Sequence, residues 1–253
     1  LSKRITWRID EPFTIFECDE FLKPDIYDEL VAGFPIDVLR SRMDSHALRS
    51  RVDERLHPEI FGAVLKSSDA WFDFHAAVTS RAFVTDFRRL FRRQIIGRSR
   101  RPFRVIRSVV EQLGGGWCDV KMDFVLARAG YHLSPHTDSP AKLVALMLYL
   151  PAAGRTCDAT VAATRFWDVS TQEWDGAHES GLLGGQSLPR VLTTEDHDQE
   201  QTTQFLEAAR HVRDVEYRDN RLAGFVKSRK SWHSVDMRSA IANSERCTVL
   251  INV

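Results

Sequence analysis

His136, Asp138 and His233 are the residues of this chain whose types and spacing suit metal chemistry. In His136-Thr137-Asp138 the imidazole and the carboxylate stand two positions apart, so an extended backbone turns both to one side. His233 follows 95 residues after Asp138, inside a second strand-like run from Phe225 to Val235. Two imidazoles and one carboxylate take one face of an octahedral metal and leave three positions open. That donor set belongs to non-haem Fe(II) oxygen chemistry. Arg246 comes thirteen residues after His233 and opens the apolar run Cys247 to Val253. A fixed guanidinium beside such a metal suits an anionic co-substrate.

An H-x-D triplet alone is weak, because a chain with nine histidines can carry one by accident. A lone histidine is more often a satisfied core or surface residue than a ligand. Here the order of features is specific: H-x-D, a long apolar strand from Leu143 to Leu150, a distal histidine in a strand, then a basic residue at the start of the last strand.

The elements that must position these residues are short strands preceded by helices. Asp25 to Phe34 carries a helical apolar stripe, with Pro24 in its first turn and Pro35 ending it. Ser68 reads as an N-cap for a helix over 69–79, and a second helix over 81–95 ends at Gly97. From about residue 103 the period changes. Strands are predicted at 103–110, 118–127, 130–135, 143–150, 165–169, 212–217, 221–226, 231–235 and 247–253. The run 143–150 is too uniformly apolar for a strand with one wet face, so it belongs in the middle of a sheet. Leu113-Gly114-Gly115-Gly116-Trp117 is a turn; no Gly-Lys-Ser/Thr follows it, so it is no phosphate loop. The polar stretch from Thr193 to Gln204 reads as an exposed insertion, a candidate lid over the site, with a helix over 200–210 as an option. Helices first and strands afterwards imply one domain over 1–253: helical support in 1–100 and an antiparallel β sandwich or barrel in 101–253.

Composition narrows the class. Lys plus Arg and Asp plus Glu are each 35, so net charge is zero and no general nucleic-acid or membrane affinity is expected. The arginines between Arg88 and Arg104 read as a solvated helix face. No apolar run is long enough for a transmembrane helix, and no signal peptide is visible. The chain begins at Leu1 rather than Met, which leaves the position of its natural N-terminus open. Cys18, Cys118, Cys157 and Cys247 form no C-x-x-C pair and read as reduced thiols, which points to the cytoplasm.

The chain resembles the Fe(II)/2-oxoglutarate-dependent oxygenases, in particular their prolyl-hydroxylase-like branch. The resemblance is carried by His136-Thr137-Asp138-Ser139-Pro140-Ala141-Lys142-Leu143 with Leu146 to Pro151, by Asn220-Arg221-Leu222 with Phe225, Lys227 and Ser228, and by Arg246-Cys247-Thr248. Pro12-Phe13, Phe21 to Pro24, Tyr27, Leu30 and Phe34-Pro35 fit the family's front end. The resemblance implies a mainly β fold with flanking helices, the double-stranded β-helix or jelly roll. It implies Fe(II) on His136, Asp138 and His233, with 2-oxoglutarate and O2 at the open positions. The distal carboxylate of 2-oxoglutarate would meet Arg246, with Tyr149 and Thr248 adding hydroxyl donors. It implies a dioxygenase that hydroxylates, or otherwise oxidises, an unactivated C–H of a small molecule such as an amino acid or a natural-product intermediate. A protein or peptide side-chain hydroxylase and a non-enzymatic jelly-roll metal-binding protein are the alternatives. Asp138 disfavours halogenation, which needs the carboxylate position vacated for halide. Arg128, Lys142 and Lys227 are candidate substrate contacts, and oligomeric state is left open.

Overall fold

The computed structural model describes residues 5–43, 47–97, 119–139, 142–151, 157–169, 205–228 and 230–253. Their strands form two antiparallel sheets. In chain order the strands are β1 (Trp7–Ile9), β2 (Ile15–Cys18), β3 (Arg49–Asp53), β4 (Lys121–Arg128), β5 (His132–His136), β6 (Val144–Leu150), β7 (Thr164–Val169), β8 (Ala209–Val215), β9 (Leu222–Val226), β10 (Trp232–Asp236) and β11 (Glu245–Asn252). The larger sheet runs β1-β2-β9-β6-β11-β4-β3 and the smaller β5-β10-β7-β8. From β4 onward successive strands change sheet at every step except β7 to β8, which are neighbours in the smaller sheet, the winding of a double-stranded β-helix.

Period-two alternation explains which side chains face where. On β6, Leu146, Leu148 and Leu150 join Val249 and Ile251 of β11 in a core shared with the helices. Ala145, Met147 and Tyr149, the intervening residues, face the smaller sheet and meet Phe166 and Val215. Every residue of β6 is buried, because both of its faces are covered.

Six helices lie before residue 98, α1 (Pro24–Ala32), α2 (Ile36–Ser41), α3 (Pro58–Ser67), α4 (Asp69–Thr79), α5 (Arg81–Leu90) and α6 (Arg92–Gly97), and a helical turn over 205–208 leads into β8. Pro24 sits in the first turn of α1, where a missing N–H costs nothing. Ser68 caps α4 by accepting from Trp71 N at 3.3 Å. The cap fixes Trp71, which is fully buried and meets Phe124 of β4 edge-on at 4.8 Å. An aromatic pair of this kind adds about 0.5–1.5 kcal/mol beyond its buried area. It ties the helical layer to the larger sheet.

The predicted helix over 81–95 is divided at Phe91, which leaves helical geometry at φ −110° and ψ 22°. The break lets Phe91 stack on Phe16 of β2 at 4.9 Å. The first hundred residues also supply β1, β2 and β3, so the larger sheet draws on both halves of the chain. Of the predicted helix over 200–210, residues 205–208 are helical, Ala209 and Arg210 belong to β8, and 200–204 lie outside the described residues. The expected strand at 103–110, the Gly-rich turn, Cys118, Arg98 to Arg104 and the lid candidate from Thr193 to Gln204 lie outside the described residues. Arg89, Arg92 and Arg93 are exposed, as a solvated helix face requires. No helix among the described residues is long and apolar enough to cross a membrane.

Asn220 and Arg221 have a structural explanation. Asn220 adopts the left-handed region at φ 55°, which asparagine tolerates better than most residues. Its side-chain amide binds both the N–H and the carbonyl of Leu22, each at 2.9 Å. Arg221 is buried and pairs with Glu17 and Asp19. Together they fasten β9, and hence the strand pair leading to His233, to the front of the chain.

Candidate metal centre

His136 ends β5 and His233 lies near the start of β10, and the two are direct partners across the antiparallel ladder. Their rings approach to 4.2 Å between centroids. Asp138 follows β5 by two residues. One donor atom from each of His136, Asp138 and His233 lies within 4.8 Å of the others.

Hydrogen bonds set the imidazole tautomers. Nδ1 of His136 is 2.9 Å from the Ser134 carbonyl, and Nδ1 of His233 is 3.0 Å from the Ser231 carbonyl. A carbonyl only accepts, so each Nδ1 carries the hydrogen and each Nε2 keeps its lone pair. Burial lowers the proton affinity of His136, and burial together with the adjacent His136 pushes His233 down to about 3. Both rings are therefore neutral at physiological pH, the form that binds metal. Burial acts against the Asp138 charge, but His233, Lys142 and His136 outweigh it and hold the carboxyl below its ordinary range. Lys142 Nζ donates to Asp138 Oδ1 at 2.9 Å, which leaves Oδ2 outside that bond. Phe225 packs on the His233 ring at 4.6 Å and Phe166 stands at 6.2 Å, so the inner flank of the centre is apolar.

A second polar group lies deeper between the sheets. Arg246 is 5% exposed. Its Nε donates to the Ala162 carbonyl at 3.0 Å and one terminal nitrogen donates to Thr164 Oγ1 at 3.1 Å. The guanidinium lies over the rings of Tyr149 and Tyr217, at 5.1 and 5.8 Å from their centroids. No carboxylate among the described residues pairs with it. The Tyr149 hydroxyl bonds Thr164 Oγ1 at 2.9 Å. Thr248, directly opposite Tyr149 in the ladder, is fully buried and its Oγ1 has no hydrogen-bond partner. A buried cation with an orphaned hydroxyl beside it is what an anion-binding pocket needs.

The smaller sheet links the two groups. Thr164, which holds Arg246, and Phe166, which pairs with His233, are two residues apart on β7. That is a separation of about 6.6 Å along the strand, a distance a short dicarboxylate can span.

The three candidate substrate contacts fall in different places. Lys142 is engaged with Asp138. Lys227 is 3% exposed, shares the inner face of β9 with Phe225, and donates to the Ser228 carbonyl at 2.9 Å. Arg128 lies apart from these two. It shares the face of Leu126 and Phe124, turned to the helices, and lies 3.6 Å from Glu245, which also binds Arg40 of α2. Strand alternation places it on the far side of the sheet from the metal centre. Sequence reasoning missed Thr164, Tyr217 and Asp123. The first two carry no motif of their own and acquire a role through contacts with Tyr149 and Arg246, which Thr164 makes from the opposite sheet and Tyr217 from the segment after β8.

No protein-family model matches the chain, and no curated protein sequence matches it. Solved structures are similar to it. A Pseudomonas putida prolyl-4-hydroxylase aligns with a TM-score of 0.46 and 15% identity, over 94% of this chain and 90% of that one. HygX from Streptomyces hygroscopicus, solved with nickel and 2-oxoglutarate bound, gives 0.46 and 6%, over 94% and 81%. AviO1 from Streptomyces viridochromogenes Tue57 gives 0.42 and 13%, over 94% and 88%.

Proposed function

We propose that this chain is an Fe(II)- and 2-oxoglutarate-dependent oxygenase acting on a small molecule. The observation that carries the reading is the convergence of His136, Asp138 and His233 within 4.8 Å, with both imidazole Nε2 atoms left as free donors. Two neutral imidazoles and a carboxylate suit a divalent iron and leave positions for exchangeable ligands. When bound, the iron and 2-oxoglutarate supply an O2-dependent oxidation of an unactivated C–H bond, with release of succinate and CO2.

The remaining work belongs to the chain. Ser134 and Ser231 hold the two Nδ1 hydrogens and so aim the rings. Lys142 orients the Asp138 carboxylate and balances part of its charge. Arg246 offers its guanidinium, and Thr248 its unpartnered hydroxyl, to the distal carboxylate of 2-oxoglutarate. Tyr149 keeps Thr164 in place beneath the guanidinium. Phe166 and Phe225 exclude water from one flank of the metal, where stray water would divert the oxidation. Buried polar side chains on the inner wall, Asp123 and Asn252 among them, favour a small polar substrate.

The test is anaerobic addition of Fe(II) and 2-oxoglutarate, followed by O2 and a panel of small molecules and peptides. A visible metal-to-ligand charge-transfer band and substrate-stimulated succinate are expected. Stimulation by peptides alone would move the reading to a peptide hydroxylase. A band with no stimulation by either group would leave a metal-binding protein, and no band would end the reading.

A further inference from the structure

Tyr131, in the turn between β4 and β5, carries a hydroxyl that no other described residue uses. Gly130 before it takes φ 89°, a conformation open to glycine, and lets the chain turn tightly. The turn is pinned to the residue after β10. Gly130 N donates to the Met237 carbonyl at 2.8 Å, and Met237 N donates to the Tyr131 carbonyl at 2.7 Å. The Tyr131 side chain is 6% exposed, and its Oη is buried without a hydrogen-bond partner. A buried tyrosine hydroxyl ordinarily has a partner, because losing water without a replacement bond is costly. Phenylalanine would fill the same space without that cost.

Two ladders fix where the side chain lies. The ring packs in one cluster with Ala127 of the larger sheet and Val235 of the smaller. Ala127 is the direct partner of Arg246, and Val235 is the direct partner of Thr164. Partnered residues stand about 5 Å apart and share a face of the sheet. Tyr131 therefore bridges the two sheets one strand to the side of Arg246 and Thr164, which bridge them through their own 3.1 Å bond. Cys157 packs against both this cluster and the one that contains Tyr149, so the two are continuous. Arg49, also a partner of Ala127, covers the Tyr131 ring at 5.9 Å.

The anion pocket can use one more donor. Arg246 donates through Nε to Ala162 and through one terminal nitrogen to Thr164, and its other terminal nitrogen makes no hydrogen bond among the described residues. Tyr149, expected to supply a hydroxyl, holds it against Thr164 at 2.9 Å. A carboxylate offers about four acceptor sites, more than one guanidinium nitrogen and the Thr248 hydroxyl fill. We propose that Tyr131 is a co-substrate-binding residue, whose hydroxyl donates to the distal carboxylate of 2-oxoglutarate beside Arg246 and Thr248. It takes the role expected of Tyr149. Its ring closes the side of the pocket, and the bound acid supplies the acceptor that the free protein lacks.

The inference rests on the oxygenase reading, and the experiment separates the two. The full chain is loaded with Ni(II), and 2-oxoglutarate and oxalate are titrated calorimetrically. Oxalate chelates a metal and has no distal carboxylate. Tyr131→Phe should bind 2-oxoglutarate at least about fivefold more weakly than the parent, the loss of one hydrogen bond to a charged group. Its Kd for Ni(II) and for oxalate should match the parent's. Without ligand the same variant should melt at or above the parent, because it removes an unpartnered hydroxyl. A hydroxyl with a purely structural role cannot give opposite signs for binding and stability. A loss below about fivefold for 2-oxoglutarate overturns the proposal. An equal loss for oxalate also overturns it, since the effect would then lie at the metal. A lower Tm overturns it as well, since the hydroxyl would then be partnered inside the fold. A parent protein that binds Ni(II) but not 2-oxoglutarate removes the oxygenase reading itself, and the proposal with it.

Discussion

Thr248 puts function and stability in opposition at a single atom. Its hydroxyl is buried without a partner in the free protein, which costs about 1–3 kcal/mol. Thr248→Val keeps the shape and removes the orphan. The variant should melt higher than the parent without ligand, and should bind 2-oxoglutarate several-fold more weakly, as isothermal titration with Ni(II)-loaded protein would read. Asp123 makes a related case through its proton. Burial pushes its carboxyl up to about 6; Arg51 works against the shift and Asp53 adds to it. An unfolded aspartate titrates near 3.9, so between about pH 4 and 6 the native state binds more protons than the unfolded state. Stability from this residue is therefore full below that window and is lost as pH rises through it. At about 1.4 kcal/mol per tenfold change in proton affinity, the ceiling is about 3 kcal/mol. Urea melts of the parent and Asp123→Asn should diverge in this sense from pH 4 to 7; parallel curves would contradict it. The proposed metal ligands and Arg246 were readable because their residue types, in or beside apolar strands, sit in a recognisable order. Asp123, Thr164 and Tyr217 were not, because an ordinary residue acquires such contacts only when distant strands and sheets come together.

Strands and helices were legible where one period dominated. The consistently apolar β6 and the capped α4 follow directly from spacing and from Ser68. The sequence of β3, Arg49-Ser50-Arg51-Val52-Asp53, shows no apolar alternation, because its inner face carries charge toward the site rather than hydrocarbon toward a core. That is why it escaped a pattern search, and why it matters to the chemistry. The division between α5 and α6 was hidden because Phe91 keeps the helical stripe while its backbone turns. At Gly224 of β9 the constraint is close approach. A Cβ there would lie 2.5 Å from Phe16 Cζ and 2.7 Å from Leu146 Cδ2. Gly224→Ala should overpack the junction between β2, β9 and β6 and cost about 1–3 kcal/mol. Differential scanning calorimetry should show a lower Tm, and a variant melting at or above the parent would show that Phe16 yields without cost.

At the scale of the molecule, the site joins two sheets that otherwise meet through hydrocarbon. His136 and His233 come from the smaller sheet and Arg246 from the larger, so ligands placed between them should brace the sandwich as well as fill it. Binding only to the native state stabilises by about 2.7 kcal/mol at a hundredfold excess over Kd. For a chain of 253 residues that is a rise of about 5–10 °C in Tm. Two increments are expected in a thermal-shift series, one on Ni(II) and a further one on 2-oxoglutarate, with EDTA reversing both. His136→Ala should lose both increments, since the second ligand needs the metal. Arg246→Ala should keep the first and lose most of the second, because a buried charged pair is worth about 2–5 kcal/mol while the metal donors are untouched. Loss of both increments in Arg246→Ala would mean that the guanidinium holds the two sheets in register. The hydrogen bonds from Arg246 to Ala162 and Thr164 would then be its principal task.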